Sequence, residues 1–107
     1  MRIVVDAAPP HDVRLLDADD FAGFRVDAHE VGAAALDATL RTGRLGRLEG
    51  DHAFIAVEGL RALAGERSPE WQDRLAAMIR FAAEHGWTAG DGSVRAHVVW
   101  AAGDGER

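Results

Sequence analysis

The chain contains no cysteine, no lysine and no tyrosine. Without cysteine there are no disulfides, zinc–thiolate sites, iron–sulfur ligands or thiol nucleophiles in this sequence. Without lysine there is no Schiff base and no attachment point for pyridoxal phosphate. Without tyrosine no phenol can serve as acid or oxyanion donor. Long apolar runs are also missing, and none approaches the roughly 20 residues that cross a bilayer. The opening Met1-Arg2-Ile3-Val4-Val5-Asp6 meets a carboxylate too early for a secretory signal. A soluble, cytoplasmic protein with no membrane partner is the expectation.

Bulky aliphatic side chains are scarce as well. Hydrophobic residues make up 48% of the sequence, but 21 of them are alanine. Valine, isoleucine, leucine and phenylalanine together number 25 of 107 residues. Alanine removes little apolar area from water, so the core is expected to be thin. The length suits one domain spanning residues 1–107. A thin core leaves surface to be buried against something else, and a second copy of the chain is the simplest partner. The net charge is −6, and all twelve basic residues are arginine. That balance repels phosphate backbones and disfavours nucleic-acid binding. The lysine-free, alanine- and arginine-rich usage resembles a GC-rich bacterial coding bias.

The hydrophobic pattern predicts a mixed order of elements. Residues 2–7 read as a β-branched strand ended by Pro9-Pro10. Residues 13–16 read as a short strand or extended arm, and the acidic run 17–20 as a turn. Residues 21–27 read as a returning strand, with Gly23 at a possible bulge. Asp27 and Glu30 have the spacing of a capping box, which predicts a helix through Thr42 capped by Gly43. Residues 43–51 read as a glycine-rich loop, 53–57 as a buried strand and 58–64 as a short helix.

The strongest local signal is Ser68-Pro69-Glu70, with N-cap serine, proline at the first helical position and an acid in the first turn. Trp71, Leu75, Met78, Ile79 and Ala82 follow on one helical stripe. Val94 to Trp100 alternates as a last strand, and residues 103–107 form a polar tail expected to fray. The expected fold is a small α+β two-layer sandwich, with helices on one face of a mixed sheet of about four strands.

Few groups are left to carry chemistry. The Gly-x-Ser-x-Gly, Gly-x-Gly-x-x-Gly and phosphate-loop patterns are absent. No pair of histidines has metal-ligand spacing, so neither metal nor cofactor is expected. His29 and His85 are placed at helix ends, where they have structural readings. His97 shares a strand face with Arg95 and Val99, opposite Val94, Ala96, Val98 and Trp100. On the first strand, Arg2, Val4 and Asp6 share a face. If helices cover the other side, the open side mixes apolar and polar groups, which describes either a small-molecule pocket or a subunit interface. In a pocket, Asp6 would orient His97 as a general base at neutral pH, with Arg95 and His52 contacting the ligand. The loop with Arg41, Arg44 and Arg47 offers guanidinium forks, of which Arg44 and Arg47 are the candidates for a small anion. Trp100, Val99 and Val4 are the candidates for a subunit contact, while Trp71 and Trp87 read as core. The leading expectation is a homo-oligomeric accessory or interaction protein. The alternative is a small-molecule-binding protein or cofactor-independent enzyme that uses His97 for proton transfer.

Overall fold

The structure, a computed structural model, describes residues 1–6 and 12–101. It is a small α+β domain with three helices and a six-stranded mixed sheet. The strands are β1 (Arg2–Asp6), β2 (Asp12–Leu16), β3 (Arg25–His29), β4 (Gly46–Glu49), β5 (His52–Ile55) and β6 (Val94–Ala101). The helices are α1 (Ala33–Thr42), α2 (Val57–Ala64) and α3 (Pro69–Glu84). The sheet order is β2-β1-β3-β6-β5-β4. β3 runs parallel to β1 and β6 at the centre, and the outer pairs are antiparallel. Pro9-Pro10, His11 and the 103–107 tail lie outside the described residues.

Strand alternation decides which side is buried. Ile3, Val5, Val26, Ala28, Ala53, Ile55, Ala96 and Val98 join one core cluster. Leu36 and Leu40 of α1, Leu60 of α2, and Trp71 and Leu75 of α3 complete it. The stripe on α3 is buried or half-buried as its spacing predicts. Ser68 caps that helix, its Oγ accepting from the Trp71 N–H at 3.1 Å, with Pro69 in the first turn. No helix among the described residues is long and apolar enough to cross a membrane.

The sheet has six strands rather than about four: residues 12–16 form a strand rather than an arm, and one further strand comes from a place where the sequence pattern points elsewhere. Gly46–Glu49 lies in the stretch expected to be a loop, yet it pairs with β5 through the two-residue turn Gly50-Asp51. Gly50 has φ 61, which a tight hairpin needs at its first turn residue. Gly46 is required for a different reason. A Cβ there would sit 2.1 Å from the Phe54 carbonyl oxygen, so the glycine admits β5 and not a ligand. The outward Leu48 N–H donates to the Asp37 carboxylate at 2.8 Å, which occupies part of the exposed edge of β4 from α1. That bond, followed by Arg41, holds the Asp37 carboxyl below its ordinary value.

The capping box at Asp27 does not form. Asp27 lies inside β3 and is 5% exposed, and α1 starts at Ala33 with Gly32 as its N-cap. The expected strand 21–27 is accordingly shifted to Arg25–His29, which leaves Gly23 in the loop before it. The physical reason is competition for the carboxylate. Asp27 accepts from Arg25 Nε at 2.7 Å and from Arg2 Nη1 at 3.0 Å. Burial pushes its pKa up, and the two guanidinium hydrogen bonds more than offset this, leaving it below 3.8. His29 therefore sits in a strand as well, 3.5 Å from Asp6 through Nδ1.

Because Asp27 is charged in the folded chain below the pH at which the unfolded chain protonates, its contribution is fully present above pH 3.8. It is lost as pH falls through the lower folded value. Asp27→Asn is expected to cost about 1–3 kcal/mol at pH 7 by urea denaturation. It should also flatten the loss of stability of the wild-type chain below pH 3.8.

Candidate functional site

The side of the sheet opposite the core cluster carries nearly all its charge. Arg2 bonds Asp17 as well as Asp27, Asp6 pairs with Arg14 at 2.7 Å, and Arg47 pairs with Glu49 and Asp91. Val4 lies on this side and is still only 1% exposed. Its cross-strand neighbours are Arg14 and Asp27, both engaged in ion pairs. Long arginine stems can cover apolar surface while their heads stay in water, which accounts for a buried valine beneath a charged layer.

One end of the sheet is built differently. β3 borders β6 only from Arg25, opposite His97, so Val94 to Ala96 extend past the start of β3. On that flank Trp87 and Thr88 take the vacant place. The Arg95 N–H donates to the Trp87 carbonyl at 2.8 Å, and Thr88 bridges Val94. An open groove of about 740 Å³ lies here. Its size is typical of a small-molecule site.

Three segments shape the groove. The first is the loop Phe21–Phe24. It is tied down by the Met1 backbone nitrogen, which donates to the carbonyls of Asp20 and Gly23. Next to it the Trp71 indole N–H donates to the Ala18 carbonyl at 2.9 Å, and the Phe21 ring packs against Trp71 at 5.8 Å. The second segment is the exposed stripe of α3, with Arg74, Ala77, Met78 and Phe81 facing the groove. The third is the sheet, which supplies His52, Arg95 and His97. Trp87 closes one wall. Its ring lies 4.7 Å from that of His85, which in turn lies 4.1 Å from Phe81. The His85 Nδ1 is 2.8 Å from the Phe81 carbonyl, which fixes the ring at the end of α3.

The charge of the groove contrasts with that of the chain. Among the described residues its lining includes two arginines and two histidines and no carboxylate. Arg74 stacks over Phe21 at 4.8 Å and Arg95 over Trp87 at 5.7 Å. Among the described residues neither guanidinium has a carboxylate partner, whereas Arg2, Arg25, Arg41, Arg47 and Arg61 all do. His52 and His97 are cross-strand partners with ring centroids 6.4 Å apart. Neither ring has a hydrogen-bond partner among the described residues.

The sequence-derived candidates divide accordingly. His97, His52 and Arg95 come together at the groove. Asp6 does not join them. It lies in register with His29 and, beyond it, Ala101, four residues along β6 from His97 and two strands away. Its carboxylate contacts Arg14 and His29 instead, so no Asp6–His97 dyad exists in this register. Arg44 and Arg47 do not form an anion-binding loop. Arg47 belongs to β4 and is neutralised by two carboxylates, while Arg44 sits exposed at φ 55 between α1 and β4. Val99 and Trp100 remain exposed, at 39% and 46%. Trp87, expected in the core, lines the groove. Arg74, Phe21, Phe24 and Phe81 were not anticipated as site residues. A signal for Arg74 and Phe81 exists, since Arg74, Ala77, Met78 and Phe81 follow a second helical stripe beside the core stripe.

No family model matches the chain, and neither a curated protein nor a solved structure matches it.

Trp71→Phe keeps the ring contact but removes the donor to Ala18. It is expected to lower stability by about 1–3 kcal/mol. Faster amide hydrogen exchange across residues 20–24 than in the wild type would identify the loosened groove wall.

Proposed function

We propose that this chain binds a small amphipathic anion in the groove between α3, the Phe21–Phe24 loop and the start of β6. The observation that carries this reading is the pair of guanidiniums, Arg74 and Arg95, left without carboxylate partners on aromatic walls. In a chain of net charge −6, carboxylates are plentiful, yet none among the described residues lines the groove. The apolar body of the ligand would rest on Met78, Phe81 and Phe24, and its charge on the basic side chains. Arginine is suited to that role because its planar fork both stacks and donates bidentately.

The test uses 8-anilinonaphthalene-1-sulfonate, an aromatic anion, and N-phenyl-1-naphthylamine, its uncharged counterpart. The sulfonate is expected to bind with saturable fluorescence enhancement and the neutral amine more weakly. Arg74→Ala with Arg95→Ala should weaken the sulfonate at least about tenfold, each lost charged hydrogen bond being worth roughly 1.5–3 kcal/mol. The melting temperature should fall only slightly, since both side chains are free of ion pairs and lose only their stacking on Phe21 and Trp87. Absence of saturable binding, or binding unchanged in the double variant, would overturn the reading.

A second reading, a homodimer formed through the end of β6, is favoured by the exposure of Val99 and Trp100. Val4 is not available to such a contact because the single chain already covers it. Sedimentation of the wild type should then give a concentration-dependent mass that Trp100→Ala shifts toward monomer. A monomer at all concentrations would remove this reading.

A further inference from the structure

Resting on the groove as an anion site, the structure also points to the kind of headgroup. We infer that the anion is a phosphomonoester carried on an aromatic or apolar body, held by Arg74 and Arg95 together with the His52–His97 pair.

The inference starts from two histidines that the fold leaves unused. His29 is engaged by Asp6 and His85 by the Phe81 carbonyl, whereas His52 and His97 face each other across the β5–β6 ladder with no partner of their own. Two facing imidazoles also suit a transition metal. Here the surroundings oppose a cation, because the groove carries two arginines and no carboxylate. The groups around the pair are Glu49 and Arg47 on β4, Arg95 on β6, Arg25 on β3 and Arg74 on α3. Glu49 and Asp91 both bond Arg47, and Arg25 shares Asp27 with Arg2, so among the described residues the groove-lining charges with no opposite partner are Arg74 and Arg95.

Donor capacity then separates the candidate headgroups. Two guanidinium forks and an N–H donor from each imidazole exceed what a carboxylate with two oxygens and one charge can use. A phosphomonoester offers three acceptor oxygens and a charge near −2. It also changes the histidines. A dianion bound beside the pair favours the protonated form of the rings over the neutral one and so draws a proton from solvent. The aromatic walls make inorganic phosphate alone an incomplete ligand.

Isothermal titration at pH 7.5, in two buffers of different ionisation enthalpy, measures both affinity and protons exchanged. At that pH a phosphomonoester, with its second pKa near 6, is already a dianion, so net proton uptake reports the histidines. Phenyl phosphate is expected to bind at least about tenfold more tightly than benzoate or inorganic phosphate, as two additional charge-assisted donors would give. Its binding should take up a proton, and benzoate should take up less. His52→Gln with His97→Gln should abolish the uptake and the preference for phosphate, while benzoate affinity stays within about twofold. Equal affinity for phenyl phosphate and benzoate, or binding without proton uptake, would overturn the headgroup assignment and leave the anion site intact. Failure of all three probes to bind, with no enhancement of the sulfonate dye either, would overturn the site itself.

Discussion

The fold depends on a sheet that has enough aliphatic side chains to bury one face. Ile3, Val5, Val26, Ala28, Ala53, Ile55, Ala96 and Val98 alternate inward across four strands and meet all three helices in one cluster. Burial of these apolar groups is the main favourable contribution to folding. The opposite face is stabilised differently. The Arg2–Asp27–Arg25 bridge spans β1 and β3 at the centre of the sheet, and arginine stems shelter Val4 beneath it. Over β1 and β3 the outer face is thus charged rather than apolar, while Val99 and Trp100 stay exposed at the end of β6.

The groove follows from the same sheet. β3 begins three residues after β6, and the flank of β6 that β3 leaves open is met by Trp87 and Thr88. The chain entering β3 is anchored by Met1 and by the Trp71 indole, so Phe21 packs against Trp71 and Arg74 of α3 and Phe24 lines the groove beside it. The hairpin of β4 and β5 sets His52 opposite His97. A site with basic lining and aromatic walls is thus assembled from a loop, a helix and two strands remote from one another in sequence.

Much of the local structure was legible from the residues. Ser68-Pro69 starts α3, the Trp71–Leu75 stripe faces the core, and alternation places Arg95, His97 and Val99 opposite Ala96 and Val98. These features depend on chain neighbours and helical or strand periodicity alone. Asp27 misled because its spacing to Glu30 suits a helix cap, while Arg2, distant in sequence, competes for the same carboxylate. Gly46–Glu49 misled because a glycine-rich segment reads as a loop until the close approach of Phe54 is known.

By itself, the sequence determined the exclusion of thiol, lysine and tyrosine chemistry, the acidic balance, the three helices and which residues share a face on the first and last strands. Only the tertiary structure decided that Asp6 belongs with Arg14 and His29, that His52 meets His97, and that Arg74 and Arg95 keep their charges unpaired. The reason is that periodicity sets the direction of a side chain from its immediate neighbours. Strand order and register set which side chains share a space, and these depend on pairings between segments far apart in the chain.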